Sequence, residues 1–364
     1  MQAVGTFIKQ GDDMQDFCLV PSHDGYGYDP MAEVREKTFG GIVDCHGHPL
    51  TERTSTREMY LTRSENDFCL EDVWGEIGKI RLEALKSLPA RLRQAIFFRK
   101  CIGISKWQVY VDFGPGIGFE AIEICIAMKN AVNKYGFDMK IAAYPTEGLT
   151  NPEMILMLRQ VCTRAEVEVV GLLPSRDRPK DRLDDPVVAH DMECAFEIAA
   201  EFGKAIDMQV DQKNHPEETE TLLLAGLAKR YREKGYKKPI GATHCLSMSS
   251  WKDIGTVVYV LDMMAKNNVS MIVCPRATLD NKQIRWVMSP THNSIAPWEL
   301  ALKRGVNVAL GIDNVLDMYM PWCDGDIWKD VSVLVHSVRY HGSIERIAEI
   351  LTVNGNRALG RRTD

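Results

Sequence analysis

The ten cysteines of this 364-residue chain never fall into a C-x-x-C pair. Scattered thiols in so long a chain argue against a disulfide framework and predict reduced, mostly buried cysteines in a cytoplasmic protein. No uninterrupted apolar run approaches membrane-spanning length. The opening MQAVGTFIKQGDDMQDF lacks a basic stretch followed by an apolar one, so no signal peptide is expected. An excess of positive charge is missing too. The net charge is -6, which leaves no global footprint for nucleic acid. The one basic run, KRYREKGYKK at 229–238, reads most simply as the solvated end of a helix. Low-complexity linkers and short repeats are absent. The length suits one large α/β domain or two smaller ones, with homo-oligomers open.

What is present is a series of short, nearly continuous apolar runs. They lie at 42–48, 107–113, 139–145, 167–173, 204–210, 239–245, 269–275 and 307–313. Such runs are the pattern of parallel strands buried on both faces. Helical periodicity separates them at 119–134, 151–164, 186–202, 216–234 and 256–267, and returns at 327–340 and 343–352. Asn151 and Pro152 read as an N-cap and first helical residue. The long first crossover, about 50–107, is expected to hold two helices, 72–86 and 88–100. Eight strands alternating with helices predict an α/β fold, a (β/α)8 barrel over 41–364, preceded by an N-terminal arm, 1–40. An open doubly wound sheet is the rival. The barrel is preferred because it brings polar strand ends, distant in sequence, onto one rim.

Those ends carry the chemistry. The first run finishes HGH, and alternation sends His46 and His48 to the same side. The sixth finishes at His244 and the eighth at Asp313. Two imidazoles and a carboxylate converging on one point suit a divalent metal. An isolated H-x-H is a weak motif; its recurrence with His244 and Asp313 at C-terminal strand ends, where barrel sites form, is the stronger signal.

The segments GGIVDCHGHPL, AAYPTEGL, GATHCLSM and HNSIAPWELALKRGVNVALGIDNVLD resemble the amidohydrolase superfamily, nearest to its cytosine deaminase and N-isopropylammelide amidohydrolase branch. The resemblance spans about residues 40 to 358 and implies a metal-dependent hydrolase of TIM-barrel type. It implies an enzyme cleaving a C–N bond in a small, cyclic nitrogenous substrate. His46, His48 and Asp313 would hold one divalent ion, zinc first, with iron or manganese as alternatives. Asp313 would also act as base, and His244 would position water or polarise the substrate.

The sequence departs from that branch at the pocket. Gln209 and Gln212 stand where a metal-binding histidine and a catalytic glutamate are typical. Thr146 replaces a substrate-binding glutamine, and Asn314 replaces an acid. Gln209 is a weak ligand for zinc, and Gln212 cannot shuttle a proton near neutral pH. Cytosine is therefore not the expected substrate. Gln212, Thr146, Asn314, Tyr319 and Trp322 are the expected substrate contacts, with Gln209 or His244 completing the metal shell. Relatives usually carry a β-sandwich built from both termini, which is not evident here. Cys45 and Cys245 read as packing thiols. His292 reads as structural. A lyase or isomerase on the same scaffold, or a ligand-binding paralogue with little or no metal, are the alternatives.

Overall fold

The structure is a computed structural model that describes residues 28–66, 68–176, 186–280 and 294–363. All eight expected strands form. They are β1 (Ile42–Asp44), β2 (Ile104–Phe113), β3 (Asp138–Pro145), β4 (Val167–Leu172), β5 (Ala205–Val210), β6 (Ile240–His244), β7 (Val269–Val273) and β8 (Val308–Leu310). They pair in sequence order, all parallel. The ends close on each other through a parallel bridge between Gly47 and Asp313 and the bonds Cys45 N→Leu310 O and Asp313 N→His46 O, both 2.9 Å. The result is a (β/α)8 barrel, the fold that the alternation predicted.

The helices flank it. They are α1 (Pro30–Thr38), α2 (Arg57–Glu65), α3 (Leu70–Cys101), α4 (Glu120–Asn133), α5 (Pro152–Cys162), α6 (Pro186–Phe202), α7 (Glu220–Glu233), α8 (Ile254–Lys266), α9 (Pro275–Asp280), α10 (Trp298–Lys303), α11 (Ile327–Ser337), α12 (Ile344–Leu351) and α13 (Val353–Leu359). Asn151 caps α5 as read, its Oδ1 accepting from Glu153 N at 2.9 Å. Within the arm, α1 packs on α12; residues 1–27 lie outside the described set. No helix among the described residues is long and apolar enough to cross a membrane.

One expectation is corrected. The two helices assigned to 72–86 and 88–100 are a single helix, α3, with Pro89 inside it. Proline removes one backbone donor and crowds the preceding turn. In the turn before it, Ser87 Oγ (3.4 Å) and Arg91 Nη2 (2.7 Å) both donate to the Ala84 carbonyl. The same Arg91 guanidinium donates to Pro49 O at 3.3 Å and Leu50 O at 2.9 Å. The long helix therefore grips the loop that follows HGH.

A second arginine of α3 reaches deeper. Arg99 is buried, donates from Nε to Asp44 Oδ2 (2.9 Å) and from Nη1 to Glu52 Oε1 (2.8 Å), and lies 3.6 Å over the Trp107 ring. The other oxygen of Asp44 accepts from Ile312 N at 3.0 Å and His46 N at 3.4 Å. One buried ion pair thus ties α3, β1 and the end of β8 together directly beneath the strand-end histidines. Gly47 is required in this setting, because a Cβ there would stand 2.6 Å from Trp107 Nε1.

Candidate active site

Alternation along the strands stacks polar side chains inside the barrel. The lower layer centres on Asp207, which accepts from Gln108 Nε2 (2.6 Å) and Thr243 Oγ1 (2.9 Å). Burial raises its carboxyl to about 6, against the lowering effect of those bonds. One layer up, at the C-terminal mouth, His46, His48, Gln209, His244 and Asp313 meet. Strand 1 is held there on both sides, by Asp313 N→His46 O and by Tyr110 N→Gly47 O at 2.8 Å.

Asp313 is the hub. Its Oδ1 lies 3.4 Å from His48 Nε2 and 3.6 Å from His46 Nε2, and its Oδ2 lies 3.8 Å from His244 Nε2. Ligands held near 2.1 Å around one tetrahedral ion stand about 3.4 Å apart, so these spacings suit a shared ion. His46, His244 and Asp313 present ligand atoms all within 4.8 Å of one another. Gln209 Oε1 sits 3.4 Å from both His244 Nε2 and Gln212 Nε2.

The donor set fits a cation on a second ground. Both ring nitrogens of His46 and Asp313 Oδ1 are buried without a hydrogen-bond partner. Buried polar atoms are rarely left so. Burial pushes His46 well below its ordinary range, His48 to about 4 and His244 to about 3, which leaves the rings neutral with lone pairs available. Burial first, then Asp317, Asp44 and Asp330, push the Asp313 carboxyl well up. A divalent cation inverts that preference.

The backbone is also strained at this point. His244 (φ 76°) and Asp313 (φ 74°) both adopt left-handed conformations, uncommon for residues with a side chain. Such outliers gather where geometry serves function. Sequence carries no sign of them.

A narrow cleft opens above these groups, with a free volume of about 40 Å³. His48, Gln209, Gln212, Asp313, Asn314 and Tyr319 all line it. Asn314 is tied back to Asp317 Oδ2 (2.5 Å) and Thr51 Oγ1 (3.1 Å). Two expected contacts are not among the lining residues. Thr146 turns its hydroxyl onto Phe113 O at 3.1 Å, in space left by the missing side chain of Gly114. Trp322 is 74% exposed and packs edge-on against Tyr60, outside the cleft. Cys45 and Cys245 are buried beside the site, as packing thiols. His292 lies outside the described residues. A larger cleft at the opposite end of the barrel, around Lys237, Lys238 and Arg357, is lined by no histidine or carboxylate.

The residues that sequence reading missed come from α3. Leu70, Trp74, Ile77 and Arg81 recur every three or four positions and close one side of the cleft, facing Asp112 and Tyr144. The i, i+4, i+7, i+11 spacing was the available signal.

Neither a family model nor a curated protein matches the chain. Solved structures do. A 5-methylcytosine deaminase from Klebsiella pneumoniae, liganded with 5-fluorocytosine, is 20% identical at TM-score 0.74, over 88% of this chain and 74% of that one. An N-isopropylammelide isopropylaminohydrolase from Burkholderia multivorans is 18% identical at 0.66, over 88% and 74%. An adenosine deaminase from Xanthomonas campestris with bound Zn is 13% identical at 0.55, over 88% and 67%. The likeness is one of fold.

Proposed function

We propose that this protein is a metal-dependent hydrolase that cleaves a C–N bond in a small cyclic nitrogenous compound other than cytosine. The observation that carries the reading is the convergence of His46, His48 and His244 on Asp313 at the barrel mouth, with the His46 ring nitrogens and Asp313 Oδ1 buried and without a hydrogen-bond partner. The fold neighbours support it, since their names describe deaminases and an aminohydrolase.

His46, His48 and Asp313 would hold the ion, with Gln209 Oε1 or His244 completing the shell. Zinc is the first candidate. A divalent ion, when bound, supplies Lewis acidity that makes water a nucleophile near neutral pH. Asp313 takes the proton from the attacking water and returns it to the leaving amine. His244, neutral in this setting, holds or polarises the reacting carbon's substituent through Nε2. Gln212 and Tyr319, on the cleft wall, orient the ring by hydrogen bonds. Gln212 neither gives nor takes a proton at neutral pH, so the substrate needs no ring protonation from that side or receives it from His244.

The test is an ammonia- and amine-release screen over cyclic ureas, amidines and triazines. The full chain is assayed after loading with zinc, iron or manganese. Release from at least one class, absent without metal, is the expected result. Metal-loaded protein that releases nothing while converting a substrate by elimination or isomerisation would replace hydrolysis with that chemistry.

A further inference from the structure

We propose that the substrate carries an anionic substituent of carboxylate type and that Arg81 grips it. The proposal rests on the reading of the barrel mouth as the substrate site.

Arg81 stands at the end of the α3 stripe that walls the cleft, and its side chain is only 15% exposed. Its Nε donates to Asp112 Oδ2 at 2.9 Å. Asp112, at the end of β2, is itself buried. Among the described residues that is the one hydrogen bond its guanidinium makes. A guanidinium offers five donors in a planar fork, and carboxylates commonly take two of them at once. Asp112 takes a single bond on the Nε edge. It orients the group and leaves Nη1 and Nη2 for another acceptor on the cleft wall.

The surroundings agree. Arg176 lies 5.0 Å from the Tyr144 ring centroid and donates to the Tyr144 hydroxyl at 2.6 Å, which adds a second positive charge behind a residue of the same wall. The metal ligands lie across the same cleft, since His48 and Asp313 line it together with Arg81. A small ring bearing an acid group would meet the reaction centre at one edge and the guanidinium at the other.

Binding is read directly, without turnover. The full-length, zinc-loaded protein is titrated calorimetrically with 2-oxoimidazolidine-4-carboxylate, with its 4-carboxamide, and with a triazine carboxylate and its carboxamide. Carboxylates should bind about tenfold to a hundredfold more tightly than their neutral partners, as expected for charge-assisted bonds. Arg81→Met would strand Asp112, so the decisive variant is Arg81→Met/Asp112→Asn, with folding checked by circular dichroism. It should lose the carboxylate preference, while Arg81→Lys should keep part of it. Equal affinity for acid and amide, absence of binding by either, or a preference that survives in the double variant would overturn the proposal. A carboxylate preference without any C–N cleavage would leave the anion site standing and remove the hydrolytic reading instead.

Discussion

Replacing Arg99 by methionine should cost the fold about 3–5 kcal/mol, the usual penalty for stranding a buried charge. Two carboxylates depend on it, Asp44 and Glu52, and both are buried. Burial raises the Asp44 carboxyl, and Arg99 is the first influence opposing that rise. Asp44 in turn holds the amides of His46 and Ile312. The loss should therefore appear twice, as a lower denaturant midpoint and as weaker metal retention. The triple variant Arg99→Met/Asp44→Asn/Glu52→Gln should recover part of the stability, because it removes the stranded charges. A single variant within about 1 kcal/mol of the parent would mean the buried pair is not the strut described here.

Asp313→Asn should lower kcat on any compound the screen returns by about 10²- to 10⁴-fold, the range for a lost general base. Asparagine keeps an oxygen near the two histidines and removes the basic carboxylate. Rates are compared per mole of bound metal, so weakened binding is not mistaken for lost proton transfer. His244→Gln should cut the rate as well, with metal content less affected if its part is to hold the substrate. An Asp313→Asn variant within tenfold of the parent at equal metal content would remove Asp313 from the proton path.

The barrel was legible because its strands are buried on both faces and so read as continuous apolar runs. The four polar groups were legible because each ends such a run. Legibility failed where tertiary contacts decide. The stretch 72–100 read as two helices, yet α3 runs through Pro89 as one. Arg81 and Asp112 stand 31 residues apart, and only the fold of α3 over the mouth joins them. Trp322 follows β8 and was expected on the cleft, but it turns outward to Tyr60. Thr146 was expected to contact substrate and instead bonds to the backbone of Phe113. Gln209 and Gln212 were conspicuous only against a family pattern. In the structure they remain at the mouth, Gln209 beside His244 and Gln212 beside Gln209.

The central claim is that the mouth of this barrel holds a metal. The most direct measurement is elemental analysis of the purified full chain beside its His46→Ala/His48→Ala variant, each as isolated and after loading with zinc, iron or manganese. The account predicts near-stoichiometric metal in the parent and a large loss in the variant. No metal in the parent after loading, or equal metal in both proteins, would contradict it.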